Sequence, residues 1–399
     1  RSSQLANLLV ERGVKPGDRV GIYLPRSVET AISVFGIVKA GAAFVPIDPR
    51  MPAGGVSQLI HDCGIRHLIS HDSRAGLLRK VMLANHLQTV AGVSAESIEA
   101  DGLAVDWADI GQRSDRSPGL AVSENDLAYI MYSSGSTGRP KGIMHTHYSG
   151  MSYARLSVAT YDVQPDDRIA NHSPLHFDMS TFGYFSGPLA AATTVLIPEA
   201  YTKVPSSLAK LMEQERITIW YSVPLALIQL LLRAPLDSLD LTCIRWVLYG
   251  GEPFPPKHLY RLMAKWPHAR VSNVYGPAET NQCTYFHLPP LQVDSEDALA
   301  SMIDAASPIP IGKVWAETDG LVLDHEDQPV APGQSGELVI HSPTMMQGYW
   351  QRPEKNQQAW YTRSSKRYYR TGDHVQLQED GNLIFLGRRD RQIKIRGYR

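Results

Sequence analysis

From residue 19 to about residue 70, short apolar runs alternate with amphipathic stretches, and this rhythm narrows the fold more than any other feature of the chain. Residues 19–24 and 42–47 read as strands, the second stopped by Asp48-Pro49. Between them, residues 27–40 place Val28, Ala31, Ile32, Phe35 and Val38 on one helical face. An opening helix carries Leu5, Leu8 and Leu9 as a stripe and ends at Gly13; residues 56–61 return to helix and 67–70 to strand. Strands separated by helices mean βαβ units and a largely parallel sheet. Polar, irregular residues near 94–126 predict a crossing between two lobes. The alternation then resumes, with strands expected at 127–132, 168–172, 193–197, 217–221, 244–248 and 270–274. Helices fit from about Tyr148 and at 206–214 and 225–232. Past about Pro289, short strands at 318–323, 336–341 and 382–386 lie between Pro/Gly turns, which predicts a smaller, mainly β subdomain.

Residues 129–142 read YIMYSSGSTGRPKG. The strand leads into Ser133, Ser134, Gly135, Ser136, Thr137 and Gly138, followed by Arg139, Pro140, Lys141 and Gly142. Glycines allow positive φ and close approach to a ligand, hydroxyls and amides can surround phosphate oxygens, and Lys141 adds a full charge. The common P-loop ends Gly-Lys-Ser/Thr and this stretch does not; read alone it leaves a kinase or an ATPase open. Most Gly/Ser loops are flexible surface connections. Glycine, hydroxyls and lysine packed directly behind a buried strand favour phosphate handling instead.

Lys and Arg number 39 against 40 Asp and Glu, interleaved along the chain for a net charge of −1. That gives no electrostatic footprint for nucleic acid or an anionic membrane. No apolar run has the length of a membrane span, and the opening RSSQLANLLVERG reads as an amphipathic helix rather than a signal peptide. Cys63, Cys243 and Cys283 are odd in number and far apart, neither a disulfide framework nor a metal spacing, which suits a reducing cytoplasm. The pairs His145/His147 and His172/His176 lack Cys or Glu partners at zinc-site spacing.

Four further stretches bear on the phosphate loop. Asn273-Val274-Tyr275-Gly276-Pro277-Ala278-Glu279-Thr280 follows a strand; Gly-Pro forces a turn, and Glu279 suits a Mg²⁺ ion carried by ATP phosphates. Tyr275 suits a purine ring face and Asn273 its amino edge, although a plain strand-end turn with a solvated Glu279 explains the same letters. Tyr369-Arg370-Thr371-Gly372-Asp373 offers a carboxylate for two ribose hydroxyls; taken alone, it reads better as a turn aspartate. Asp178, among Leu175, Phe177, Met179 and Phe182, is costly unless it meets a cation such as a substrate ammonium, or caps a helix. Residues 387–394, GRRDRQIK, read as a basic surface segment or a hinge.

Together these stretches resemble the large N-terminal subdomain of an adenylate-forming enzyme, most closely the amino-acid adenylation domains of nonribosomal peptide synthetases. YIMYSSGSTGRPKGIMHTH, FDMS, NVYGPAET, YRTGD and GRRDRQIKIRGYR match that family's motifs in order and cover essentially the whole chain. The resemblance implies two parallel-rich sheets flanked by helices in five layers, plus a smaller β-barrel-like subdomain, with the C-terminal subdomain absent. Its parts would be a first α/β lobe at 1–120 and a second at 121–290 carrying the phosphate loop and substrate pocket. A mainly β subdomain at 291–387 and a hinge at 388–399 would follow. It implies a two-step reaction: a carboxylate attacks the α-phosphate of ATP, pyrophosphate leaves, and a carrier protein's phosphopantetheine thiol takes the acyl group. Lys141, Thr137 and the rest of the loop would hold the departing phosphates, Glu279 with Thr280 nearby would hold Mg²⁺, and Asp373 and Arg388 would hold ribose. Asp390 would be the hinge. Members carry a catalytic lysine near their C-terminus, beyond Arg399; the expectation is ATP and substrate binding with slow adenylation, made faster by a restored C-terminal segment. A cytoplasmic monomer without nucleic-acid or membrane partners is expected.

Asp178 matches the family's partner for the substrate amine, which favours an amino acid over the acids of aryl- and acyl-CoA ligases. Matching positions give a lining of Phe177, Asp178, Met179, Phe182, Tyr221, Leu248, Gly250, Val274, Gln282 and Cys283. Without a second carboxylate or an arginine, that lining suits a small to medium apolar side chain. The Asp, Tyr, Leu and Cys positions resemble prolyl-activating enzymes, while Met179, Phe182 and Gln282 depart from them. The bare stretch Tyr249-Gly250-Gly251-Glu252 tips the reading towards a β-amino acid.

Overall fold

The apolar runs of the N-terminal third do form parallel strands. Residues 1–133, 140–293 and 295–388 are described in the computed structural model, and they divide into two units. The first unit comprises Arg1–Gly150, Pro174–Asp178 and Met346–Arg352. Its eight-stranded sheet runs in the order Gly348–Tyr349, Lys141–Thr146, Leu127–Ser133, Ala43–Pro46, Arg19–Ile22, His67–Ile69, Thr89–Ala91 and Ala104–Val105. From Leu127–Ser133 to Ala104–Val105 all neighbours are parallel. Strands such as Ala43–Pro46 are buried at every residue, as a sheet covered on both faces requires. The helix Val28–Lys39 starts at Ser27, whose hydroxyl accepts from the Thr30 amide.

Two expectations change here. The polar stretch near 94–126 is not a crossing between lobes: it stays in the first unit, forms helices Ala95–Ile98 and Trp107–Ile110, and adds Ala104–Val105 as an edge strand. Amides of the first helix hold its backbone, Gln4 donating to Gly111 O at 2.6 Å and Asn7 to Ser114 O at 2.8 Å. Side-chain donors replace ladder bonds there, so no apolar period marks the order. The strand before the phosphate loop likewise belongs to the first sheet, with Tyr129 in register with Phe44. It turns back into the antiparallel strand Lys141–Thr146, with Ser133 opposite Lys141, before the helix His147–Tyr161 begins. A strand therefore stands between the phosphate-loop segment and the helix.

The second unit comprises Met151–Ser173, Met179–Met345 and the chain from Pro353. Its seven-stranded sheet runs in the order Lys313–Val314, Thr284–His287, Arg270–Tyr275, Trp246–Gly250, Ile219–Ser222, Arg168–Asn171 and Thr193–Leu196, the last five mutually parallel. The helices Pro205–Gln214, Pro224–Arg233 and Pro256–Lys265 bury Leu208, Leu227 and Leu259 in one core with Trp220 and Tyr249. The third sheet is antiparallel: Asp319–Leu323, Ser335–His341 and Lys366–Leu377, with Trp360–Arg363 and Leu383–Arg388 both paired to the long strand Lys366–Leu377.

At the start of the parallel strands, Asp167 ties three segments together. Its carboxylate accepts from Arg245 Nε at 2.7 Å, Thr218 Oγ1 at 2.6 Å and the Gln164 amide at 2.7 Å. Burial pushes the carboxyl up, but these bonds outweigh it and hold Asp167 below the usual carboxylate range. A depressed folded pKa stabilises the fold above the unfolded value, and the effect is lost as pH falls through the folded pKa, below about pH 4. Asp167→Asn is expected to cost about 2–3 kcal/mol at pH 7, because a charged acceptor of three bonds becomes neutral. Urea unfolding at pH 7 and pH 3 checks this: the gap between variant and wild type should narrow at pH 3, and a constant gap would contradict the assignment.

Candidate active site

The third sheet supplies a buried carboxylate through an irregularity in its pairing. Glu337 pairs with His374 and Val339 with Arg370, so Thr371, Gly372 and Asp373 all face the single residue Leu338. Such bulges re-aim side chains and recur beside active sites. Thr371 anchors the bulge by donating to Leu338 O at 2.7 Å and accepting from the Asp373 amide at 3.1 Å. Asp373 is 4% exposed. Its Oδ2 accepts from Tyr275 Oη at 2.5 Å and its Oδ1 from Arg388 Nη1 at 2.9 Å, Arg388 being its register partner on Leu383–Arg388. Burial and the neighbouring Asp373 charge push the Tyr275 phenol well above its usual pKa, so it stays a hydrogen-bond donor. Asp373 is thus a fixed anion and not the solvated turn residue its local sequence allows. Two acceptor oxygens held at one buried point suit a pair of neighbouring hydroxyls.

Tyr275 ends the strand Arg270–Tyr275, and the following turn closes with the Thr280 amide on Pro277 O at 2.9 Å. Glu279 and Thr280 lie in this turn with no solvent exposure. Thr344 Oγ1 donates to Thr280 O at 2.7 Å and fixes the turn from the third-sheet side. Glu279 is therefore buried, which removes the reading of a solvated strand-end residue. Asn273 uses its Nδ2 on Pro310 O at 2.8 Å, which leaves Oδ1 as the atom suited to a purine amino group.

A second cluster builds on the opposite face of the parallel sheet. Phe182 opens the π-helix Phe182–Ser186 and meets Tyr161 and Tyr221 edge-on, both at 5.9 Å between ring centroids. Leu248 and Val274 complete this core from the neighbouring strands, and Met179 packs against it. Gln282 is 1% exposed and donates from Nε2 to Tyr161 Oη at 2.7 Å. Its Oε1 meets no donor among the described residues. A buried acceptor left that way costs about 1–3 kcal/mol, so a donor from water or ligand is expected there.

Gly250 belongs to the same sheet but offers no open floor. A Cβ there would lie 2.2 Å from the Val274 carbonyl oxygen, its partner in register. The missing side chain serves close strand approach, and the lean towards a β-amino acid loses its basis. Cys283 also departs from the expected lining. It lies in a separate core with Ile311, Leu338 and Val375, and burial pushes its thiol up to about 12. At neutral pH that thiol is an uncharged packing group and no nucleophile.

In the first unit, Lys141 donates to Tyr349 Oη at 3.0 Å and lies over its ring, 4.5 Å from the centroid. Phe177 contacts the ring of His176 at 4.6 Å between centroids. Burial drives the His176 pKa down to about 4, against the pull of Asp48. Asp178 begins the short 3₁₀ helix Asp178–Ser180 and is half-buried. Ser134, Gly135, Ser136, Thr137 and Gly138 of the phosphate loop, and Asp390, lie outside the described residues. Sequence reasoning missed Tyr161, Tyr349 and the anchoring role of Thr371. Tyr161 and Tyr349 sit at a helix end and in a two-residue strand, where no spacing distinguishes them.

Comparison with known proteins identifies the whole. Residues 1–350 match the AMP-binding enzyme family. The chain belongs to that family. It is an adenylate-forming ligase, as the ordered motifs imply. Over its full length it is 34% identical to the L-proline--[L-prolyl-carrier protein] ligase of Pseudomonas fluorescens, of which it spans 75%. It is equally similar to the ligase of that name from Streptomyces coelicolor, at 34% identity over 74% of that protein. Among solved structures it is similar to the nonribosomal peptide synthetase FmoA3 bound to α-methyl-L-serine-AMP, with a TM-score of 0.83, 28% identity, and coverage of 98% of this chain and 41% of that one.

Proposed function

We propose that this AMP-binding enzyme activates an amino acid with a small to medium apolar side chain, proline or a close relative, and passes it to a carrier-protein thiol. The full-length similarity to two L-prolyl-carrier ligases carries the reading. Tyr221, Leu248 and Val274 in one apolar core support it, and the strand contact that fills the space beside Gly250 favours an α- over a β-amino acid.

The first step asks for positioning and charge compensation more than for a protein nucleophile. Asp373 would accept from the ribose hydroxyls while Arg388 and Tyr275 keep it in place. Lys141 and the hydroxyls of residues 133–137 would hold the β- and γ-phosphates as they depart. Asp178 would pair with the substrate ammonium. Among the described residues no three His, Cys, Asp or Glu side chains converge. The buried Glu279 carboxylate suits a Mg²⁺ ion that arrives with the ATP phosphates and takes one protein ligand. When bound, it would neutralise phosphate charge.

Calorimetric titration with nonhydrolysable acyl-adenylate mimics tests the reading without relying on turnover. A prolyl mimic is expected to bind at least tenfold more tightly than an aryl mimic lacking the amine. Asp178→Ala should erase that difference, about 1.5–3 kcal/mol for a charged hydrogen-bonded partner. Equal affinity for both mimics in the wild type would instead favour an aryl- or acyl-activating ligase.

A further inference from the structure

Lys141 stands at the end of the phosphate loop, on a side chain with four rotatable bonds and about 2 kcal/mol of rotamer entropy. In this structure it is already ordered: its ammonium donates to Tyr349 Oη at 3.0 Å and faces the Tyr349 ring at 4.5 Å. Tyr349 is itself held in place. It is 5% exposed and lies in the strand Gly348–Tyr349, which pairs antiparallel with Lys141–Thr146, Tyr349 opposite Ile143 and Gly348 opposite Met144. Backbone bonds flank the pair, Gln347 N to Met144 O and Trp350 N to Gly142 O, both 2.8 Å.

The residues after Tyr349 act as an anchor. Trp350 Nε1 donates to the Asp62 carbonyl at 3.0 Å, and Arg352 donates to the Asp62 carboxylate at 2.6 Å. Tyr132, on the strand leading into the loop, donates to the other oxygen of that carboxylate at 2.7 Å. Arg19 covers the Trp350 ring at 4.9 Å. Trp350 can seat here because residue 142 is glycine: a Cβ would lie 2.8 Å from Ile130 Cγ2 and 3.2 Å from Trp350 Cβ. The chain segment Met346–Arg352 is thus bolted to the edge of the first sheet, beside the strand Lys141–Thr146 that follows the loop.

We propose that Tyr349 is a positioning residue for Lys141, holding the ammonium ordered at the phosphate loop before ATP arrives. A phenol oxygen and an aromatic face both attract a cation, and together they fix the direction in which the ammonium points. The lysine then loses less entropy when it engages phosphate, and the gain appears in nucleotide affinity rather than in amino-acid binding. The inference rests on the phosphate role of Lys141 in the proposed function.

The test is a double-mutant cycle on Tyr349→Phe and Lys141→Met, read as the dissociation constant for ATP by calorimetry, with Tm and the affinity for the amino acid followed in parallel. Tyr349→Phe is expected to weaken ATP binding about tenfold, the effect of losing a hydrogen bond to a charged group. Tm and amino-acid affinity should be unchanged. In the Lys141→Met background the same change should have no further effect. An ATP affinity unaltered by Tyr349→Phe overturns the inference, and so does an equal loss with and without Lys141, which would mark a merely structural tyrosine. If Lys141→Met alone leaves ATP binding intact, the phosphate role of Lys141 fails, and the inference fails with it by a separately recognisable result.

Discussion

Asp373→Ala is expected to weaken binding of an acyl-adenylate mimic by roughly 100- to 1,000-fold, measured by calorimetry. The carboxylate sits in a buried nook between a phenol donor and a guanidinium, and in the proposed function its oxygens also accept from the two ribose hydroxyls. Hydrogen bonds to a charged group contribute about 1.5–3 kcal/mol each, so losing two accounts for the expected range. Alanine also leaves Arg388, whose side chain is 13% exposed, without this anion. Removing one partner of a largely buried ion pair costs about 3 kcal/mol, and the Tm should fall as well. Asp373→Asn separates the two effects: it keeps the shape of the nook and one acceptor, so stability should recover more than affinity. Unchanged affinity in both variants would remove Asp373 from the nucleotide site.

Gly250→Ala is expected to destabilise the fold by about 4 kcal/mol or more, beyond the ordinary range for a single methyl group. The new Cβ would meet the Val274 carbonyl oxygen at 2.2 Å and its carbon at 3.3 Å. Both belong to backbone in a neighbouring parallel strand, so no flexible side chain can move aside. Either the strands separate or the chain unfolds, and the walls made by Leu248 and Val274 shift with them. Leu248→Ala is the useful comparison. It should cost about 2–5 kcal/mol through a cavity while keeping the strand pairing, and it should enlarge the range of accepted side chains. A Gly250→Ala protein with wild-type Tm would contradict the strand register.

Much of this architecture is readable in the amino-acid order because parallel strands buried on both faces must be continuous apolar runs. Strands near 19, 43, 67, 168, 219, 246 and 270 stand where those runs fall. What periodicity could not supply was pairing partner and direction. Lys141–Thr146 reads as a mixture of charge, histidine and threonine, yet it is an antiparallel strand with Lys141 in register opposite Ser133. Lys366–Leu377 hides behind Thr-Gly-Asp, which looks like a turn and is in fact a bulge within a twelve-residue strand. The site shows the same division. Asp373, Glu279 and Arg388 are marked by motif, but the burial of Asp373 and its bond from Tyr275 join residues 98 positions apart. Gly250 shows the hazard of reading a missing side chain as empty space, since a backbone carbonyl fills it.

The most direct test of amino-acid activation is amino-acid-dependent exchange of labelled pyrophosphate into ATP, screened across α-amino acids, β-amino acids and aryl acids. Exchange is expected with proline or a close apolar relative, dependent on the amine and lost in Asp178→Ala. Exchange with aryl acids alone, or exchange with proline that Asp178→Ala leaves intact, would contradict it.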